Sequence, residues 1–191
     1  METQKIDPQE KLLLDSLTEI IRNNDNAPDI DKIENYRALG GGYLYLGEFD
    51  KVISIMNEAI KTTSDNAELA ILYNMRGAAY SEKKDFAHAI EDFTKVIESA
   101  PEQDSPYYNR GLIYLFDNKD YDKAIADFEQ VIKLSPQENL LNESNTYYNL
   151  GQAYFEKEDY ENARKNLLEC LRLDPHYQGA QSLLYHINNN R

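Results

Sequence analysis

Apolar side chains along this chain fall on helical stripes. Ile125, Phe128, Val131 and Ile132 share one face of a helix. A segment upstream sets Tyr107, Arg110 and Tyr114 at i, i+3 and i+7. This two-helix pattern recurs. Gly40, Gly77, Gly111 and Gly151 each stand three residues before a tyrosine (Tyr43, Tyr80, Tyr114, Tyr154) and four residues after another (Tyr36, Tyr73, Tyr107, Tyr147). Downstream comes an aromatic residue, Phe49, Phe86, Tyr121 or Tyr160. Three residues on stands Val52, Ala89, Ala124 or Ala163, and four beyond that Met56, Phe93, Phe128 or Leu167. Ala59, Val96, Val131 or Cys170 follows. Pro101, Pro136 and Pro175 close three of the units, with Ser64 at that place in the first. Positions kept in phase through four units define an internal repeat.

The residue types explain the pattern. Small residues at the Gly and Ala positions let two helix backbones approach, and the large apolar residues fill the space left open. Proline ends the second helix of three units by removing a donor and restricting the residue before it. One helix pair cannot bury its stripe alone, so neighbouring units stack. The ends read as helices that cover the last faces. Asp7-Pro8-Gln9-Glu10 starts a helix running to about Asn24. Leu13, Leu17, Ile20 and Ile21 lie on one stripe of it, and Ser16, Leu17 and Ile20 match the second helix of a truncated unit. At the other end, Pro175 to about Ile187 reads as a helix with Leu183, Leu184 and Ile187 facing back. The expectation is ten helices and no strands.

These residues resemble the tetratricopeptide repeat family, whose unit of about 34 residues carries a W-x₂-L-G-x₂-Y…A-x₃-F…P pattern. Tyr147-Tyr148-Asn149-Leu150-Gly151-Gln152-Ala153-Tyr154 and Asp120-Tyr121-Asp122-Lys123-Ala124-Ile125-Ala126-Asp127-Phe128 carry the likeness most closely. The departures are Tyr for Trp throughout, Val52 for Ala, no proline in the first unit, and longer connections after the first and third units. The resemblance implies an all-α, right-handed α-solenoid. It would have an N-terminal cap or truncated repeat over 1–31 and repeats at about 33–66, 70–103, 104–138 and 144–177. A terminal helix over 176–191 would close it.

In that family the first helix of each unit lines a concave groove. The resemblance therefore places Tyr45, Asn74, Tyr108, Asn109, Leu112, Leu115, Phe116, Tyr148, Asn149, Gln152 and Phe155 among the groove positions. Such a surface suits peptide capture. Asn donates to and accepts from an extended backbone, and aromatic rings give contact area at low entropy cost. The expected function is a non-enzymatic adaptor binding a protein or peptide segment, with Asn109 and Asn149 fixing the backbone. A Tyr108→Ala, Tyr148→Ala pair is expected to weaken binding without unfolding. A homo-oligomeric scaffold built through the Gly-softened first unit is the second reading. Chaperone-binding members hold a C-terminal carboxylate with Lys, Arg and Asn at two positions of successive first helices. Those positions here hold Glu34, Ala38, Ile71, Met75, Ser105, Asn109, Asn145 and Asn149, with no Lys or Arg. A carboxylate needs charge-assisted donors, so that mode is not expected.

Composition narrows the field further. The 191 residues carry 34 acids against 20 bases, a net charge of −14 spread along the chain. That is the wrong sign for duplex nucleic acid or an anionic membrane. One cysteine makes no internal disulfide, no run of 18 apolar residues is present, and Met1–Asp7 is polar, so a cytoplasmic location is the expectation. Gly40-Gly41-Gly42 lies inside a predicted helix with no Gly-Lys-Ser/Thr after it, which argues for close packing rather than a phosphate cradle. Only Gly41 is surplus to that packing. Cys170 falls at a buried small position and is not expected to pair with His176 as a nucleophile. His88, His176 and His186 show no metal-ligand spacing. The pairs Glu91-Asp92, Asp120 with Asp122, and Glu158-Asp159 read as turns and outer faces. No cofactor, metal or catalytic constellation is expected.

Overall fold

The computed structural model describes residues 12, 14–16, 18, 19, 29–134 and 140–189. The chain divides into two compact units, 1–100 and 101–191. All regular elements among the described residues are helical.

The first unit holds α1 (Asp29–Tyr45), α2 (Phe49–Ala59), α3 (Asn66–Glu82) and α4 (Phe86–Ser99). Each packs on the next, and α1 also touches α3, so helices of like position in the repeat lie side by side. The second unit holds α5 (Ser105–Ile113) running into a π-helical turn (Tyr114–Asn118). It continues with α6 (Tyr121–Leu134), α7 (Leu140–Glu156), α8 (Tyr160–Leu173) and α9 (Gln178–Asn189). Again each packs on the next, and α9 also reaches α7.

The repeat positions are the core positions. Val52, Ala89, Ala124 and Ala163 are buried, as are Met56, Phe93, Phe128 and Leu167, and Ala59, Val96, Val131 and Cys170. The glycine of each first helix faces the large apolar residue of the second. A Cβ on Gly40, Gly77, Gly111 or Gly151 would come within about 3 Å of Met56, Phe93, Phe128 or Leu167. The small residue therefore sets the helix spacing, and the large one fills it.

Within the Gly40-Gly41-Gly42 run the roles divide. A Cβ on Gly40 would meet Met56 Cε at 2.5 Å, and one on Gly42 would meet Leu14 Cδ2 at 2.5 Å. One on Gly41 meets nothing within 4 Å. Gly41→Ala is expected to raise stability by about 1 kcal/mol through helix propensity alone. A lower urea midpoint in the variant would contradict this. Leu14 is buried there, although it lies outside the Leu13, Leu17, Ile20, Ile21 stripe. Those four residues and Asp7-Pro8-Gln9-Glu10 lie outside the described residues, and Ser16 is exposed.

The helix–helix turns share one design. A left-handed residue closes each first helix: Gly47 at φ 71°, Lys84 at 61°, Lys119 at 53° and Glu158 at 61°. In three turns the following N–H reaches back five residues, from Glu48 to Tyr43 O, Asp85 to Tyr80 O and Asp159 to Tyr154 O, each at 2.9 Å. This is the Schellman bond that satisfies an orphan carbonyl and holds a non-glycine residue in the left-handed region. Asp85 and Asp159 then cap the next helix by accepting from the N–H groups of His88 and Asn162. In the third turn the reach is six residues, from Asp120 N to Tyr114 O. The C-terminal helix starts at Gln178 rather than Pro175, because Asp174 Oδ1 accepts from the His176 N–H and holds those residues in a turn.

Candidate functional site

The expected groove residues divide between the two units. In the second, α5 opens at Ser105 with Pro106 in its first turn, which sets Asn109, Leu112 and Phe116 at i, i+3 and i+7. Gly111 and Tyr121 stand ten residues apart, whereas Gly40–Phe49, Gly77–Phe86 and Gly151–Tyr160 stand nine apart. The chain absorbs the extra residue as the π-helical turn at Tyr114–Asn118. Two consequences follow for the surface. Leu115, expected in the groove, is buried instead and packs with Ala124, Ile125 and Phe128. Phe116 is left 50% exposed, next to half-buried Leu112 and Asn109.

Tyr108 and Asn149 meet: the Asn149 Nδ2 amide donates to the Tyr108 hydroxyl at 3.2 Å. The Tyr108 ring also packs edge-on against Phe128, 6.0 Å between centres. Burial pushes its phenol above the ordinary range, with the Asn149 bond opposing. On α7, Tyr148 lies 4.8 Å from Tyr177 and presses on Gly179, where a Cβ would come within 2.9 Å of the ring. Phe155 meets the rings of Tyr160 and His186, each at 5.6 Å. The Tyr177 hydroxyl donates to Asn145 Oδ1 at 2.9 Å, and burial is the main cause that pushes this phenol up to about 12. Gln152 is half-buried. The terminal segment thus packs against Tyr148, Phe155 and Asn145. Tyr108 and Tyr148 hold helices together as well as lining a surface. Their joint replacement by alanine removes packing against Phe128 and Tyr177, and it is not a clean probe of binding. Asn109 and Phe116 are better probes.

In the first unit, Tyr45 is exposed at the end of α1. Asn74 is half-buried on α3, and its Oδ1 is buried without a hydrogen-bond partner among the described residues. Arg37 of α1 pairs with Glu68 of α3 at 3.3 Å.

The sequence reading missed two buried ion pairs. Arg76 makes a two-pronged bond to Asp92, with Nε and Nη2 each at 2.7 Å, and its Nη1 reaches Asn57 Oδ1. Arg110 holds Asp127 in the same way at 2.9 and 2.7 Å. Each guanidinium lies near two tyrosine rings, Tyr73 and Tyr80 or Tyr107 and Tyr114, at 5.3–5.9 Å. The signal was present: Arg precedes Gly and Asp precedes Phe in the same two units. Asp92 is therefore a correction to the outer-face reading of the carboxylate pairs. It is buried against Arg76, while Glu91, Asp122 and Glu158 are exposed.

Cys170 is buried, and desolvation, with Asp174 adding to it, pushes its thiol up to about 11. It is a poor nucleophile. Among the described residues no three His, Cys, Asp or Glu side chains gather as a metal site, and no helix is long and apolar enough to cross a membrane.

Comparison with known proteins agrees with the repeat geometry. Two tetratricopeptide repeat models match, one over residues 70–103 and one over 103–176. A MamA double mutant (RS-1) superposes with a TM-score of 0.74 at 20% identity, over 88% of this chain and 87% of that one. YrrB, described as a TPR protein with an unusual peptide-binding site, gives 0.74 at 16% identity over 93% and 84%. The first TPR of Spaghetti (RPAP3), bound to the HSP90 peptide SRMEEVD, gives 0.58 at 24% identity over 64% and 93%. With its helix–turn–helix units, glycine-spaced cores and matching family models, this chain belongs to the tetratricopeptide repeat family and is an all-α helical repeat solenoid.

Proposed function

We propose that this protein is a non-enzymatic adaptor that holds a protein or peptide segment along the surface of its first helices. It would be framed as four repeats over 32–175 with a terminal helix at each end. The observation that carries this reading is the α5 stripe, where Phe116 stands half exposed on the π turn beside Leu112 and Asn109. An exposed large ring next to a half-buried amide is the anchor-and-backbone pairing that peptide recognition uses. YrrB and the Spaghetti domain, similar in fold, are described as peptide-binding.

The test is an Asn109→Ala, Phe116→Ala pair, run beside the native chain in a crosslinked pull-down from native cells with circular dichroism as the folding control. The expected result is a helical spectrum like the native one and loss of the proteins that the native chain captures. Capture of the same set by the folded variant would remove this surface from consideration.

We further propose that the segment is not held by a terminal carboxylate. The clamp positions offer no Lys or Arg. Of their asparagines, Asn145 and Asn149 are engaged with Tyr177 and Tyr108. In fluorescence anisotropy, SRMEEVD peptides ending in a free acid and in an amide should behave alike. Saturable binding that depends on the free acid would overturn this.

A further inference from the structure

A cavity of about 330 Å³ opens in the second unit between α6, α7 and α8. Its walls include Glu129, Tyr147, Leu150, Lys165, Asn166 and Glu169, none of them on the α5 stripe. The repeat explains why it is there. Leu150 stands immediately before Gly151, the place that Arg76 and Arg110 take before Gly77 and Gly111. Asn166 stands before Leu167, where Asp92 and Asp127 stand before Phe93 and Phe128. Glu129 follows Phe128 as Asn57 follows Met56, and Tyr147 and Tyr154 correspond to Tyr73 and Tyr80.

In the first unit this set of positions is a filled arginine site. The Arg76 guanidinium is bonded to Asp92 on its own second helix and to Asn57 on the preceding one, with Tyr73 and Tyr80 beside it. The fourth repeat keeps the two tyrosines. It supplies an amide, Asn166, where the carboxylate was, and a carboxylate, Glu129, where the amide was. The guanidinium itself is replaced by the shorter and uncharged Leu150.

We propose that this cavity binds the guanidinium of an arginine side chain presented by a protein partner. Glu129 has one oxygen engaged by the Tyr154 hydroxyl at 2.9 Å, which orients the carboxylate and leaves acceptor capacity. Glu169 adds a second carboxylate at the wall. It accepts from Arg172 at 2.7 Å, an exposed pair and therefore a weak competitor. Lys165 is exposed and forms no ion pair with Glu129 or Glu169 among the described residues. A planar guanidinium can bond two acceptors in its plane while its face lies on the Tyr147 ring, and an ammonium cannot do both. This site lies on the second-helix side, so its failure leaves the α5 reading untouched.

The test is a titration of the isotope-labelled full chain with N-acetyl-arginine amide, followed by nuclear magnetic resonance, with N-acetyl-lysine amide as the control. Saturable shifts are expected at the Asn166 side-chain amide and at the backbone of Tyr147, Leu150 and Glu169, with the lysine probe weaker by about 10-fold. Glu129→Gln, at an exposed position, should weaken the arginine probe by about 10-fold while the fold is kept. Leu150→Arg with Asn166→Asp installs the pair found in the second and third repeats and should abolish binding, because the chain then fills the cavity itself. Three results would each overturn the proposal: no saturable shift with the arginine probe, equal binding of the lysine probe, or native affinity in Glu129→Gln.

Discussion

Replacing Asp127 by alanine is expected to destabilise the second unit by about 3–5 kcal/mol. The side chain is 7% exposed and accepts both prongs of Arg110, itself 16% exposed. Removing the carboxylate takes the two-pronged partner from a mostly buried guanidinium, which costs more than the pair was contributing. Burial lifts the Asp127 carboxyl above its ordinary range even though Arg110 pulls it down, so desolvation opposes what the pairing gives. Arg110→Leu together with Asp127→Asn copies the Leu150 and Asn166 of the fourth repeat. That double change is expected to recover all but about 1 kcal/mol, because an apolar replacement of a buried pair is often neutral. Urea denaturation of the three proteins measures both steps. If Asp127→Ala costs less than the double change, the pair is not the buried unit described here.

Much of this molecule is legible in its sequence, and the limits have physical causes. Gly111, Ala124 and Phe128 announce their burial because a close helix approach allows few residue types at each place, and the repetition shows which ones. The Arg110–Asp127 pair escaped because a charge on an apolar stripe reads as exposed. Only its recurrence as Arg76–Asp92 marks it as core. The π turn was encoded in one residue, the ninth between Gly111 and Tyr121 where the other units have eight, and no propensity scale signals an insertion that is absorbed without breaking a helix. Its effect on Leu115 and Phe116 changes which side chain reaches the surface. Burial at Tyr148 and Phe155 depends on where the terminal helix lands, a tertiary fact that the spacing within a single repeat does not carry. The left-handed turn conformation was likewise invisible at Lys84, Lys119 and Glu158. Glycine signals such a conformation by its identity, whereas these three are held by the backbone bonds around them.

The other large effect is expected at Phe128. The ring is 0% exposed, sits edge-on to Tyr108 and fills the space over Gly111, where a Cβ would lie 2.9 Å from its Cε1. Phe128→Ala should cost about 3–5 kcal/mol, the loss of an apolar ring plus the cavity it leaves. Phe128→Leu reproduces the Gly151–Leu167 combination of the fourth repeat and should cost roughly 1–1.5 kcal/mol, since the volume is nearly kept. The two changes also separate packing from helix propensity: Ala is the better helix former, so propensity alone would rank them the other way. Because stacked repeats share interfaces with their neighbours, the loss should appear first in the second unit. Amide hydrogen exchange in Phe128→Ala should quicken across α5, α6 and α7 before it changes in α1 and α2. Equal quickening throughout the chain would mean that the repeats unfold as one block, and a cost for Ala no larger than that for Leu would mean that the ring is not what spaces the helices.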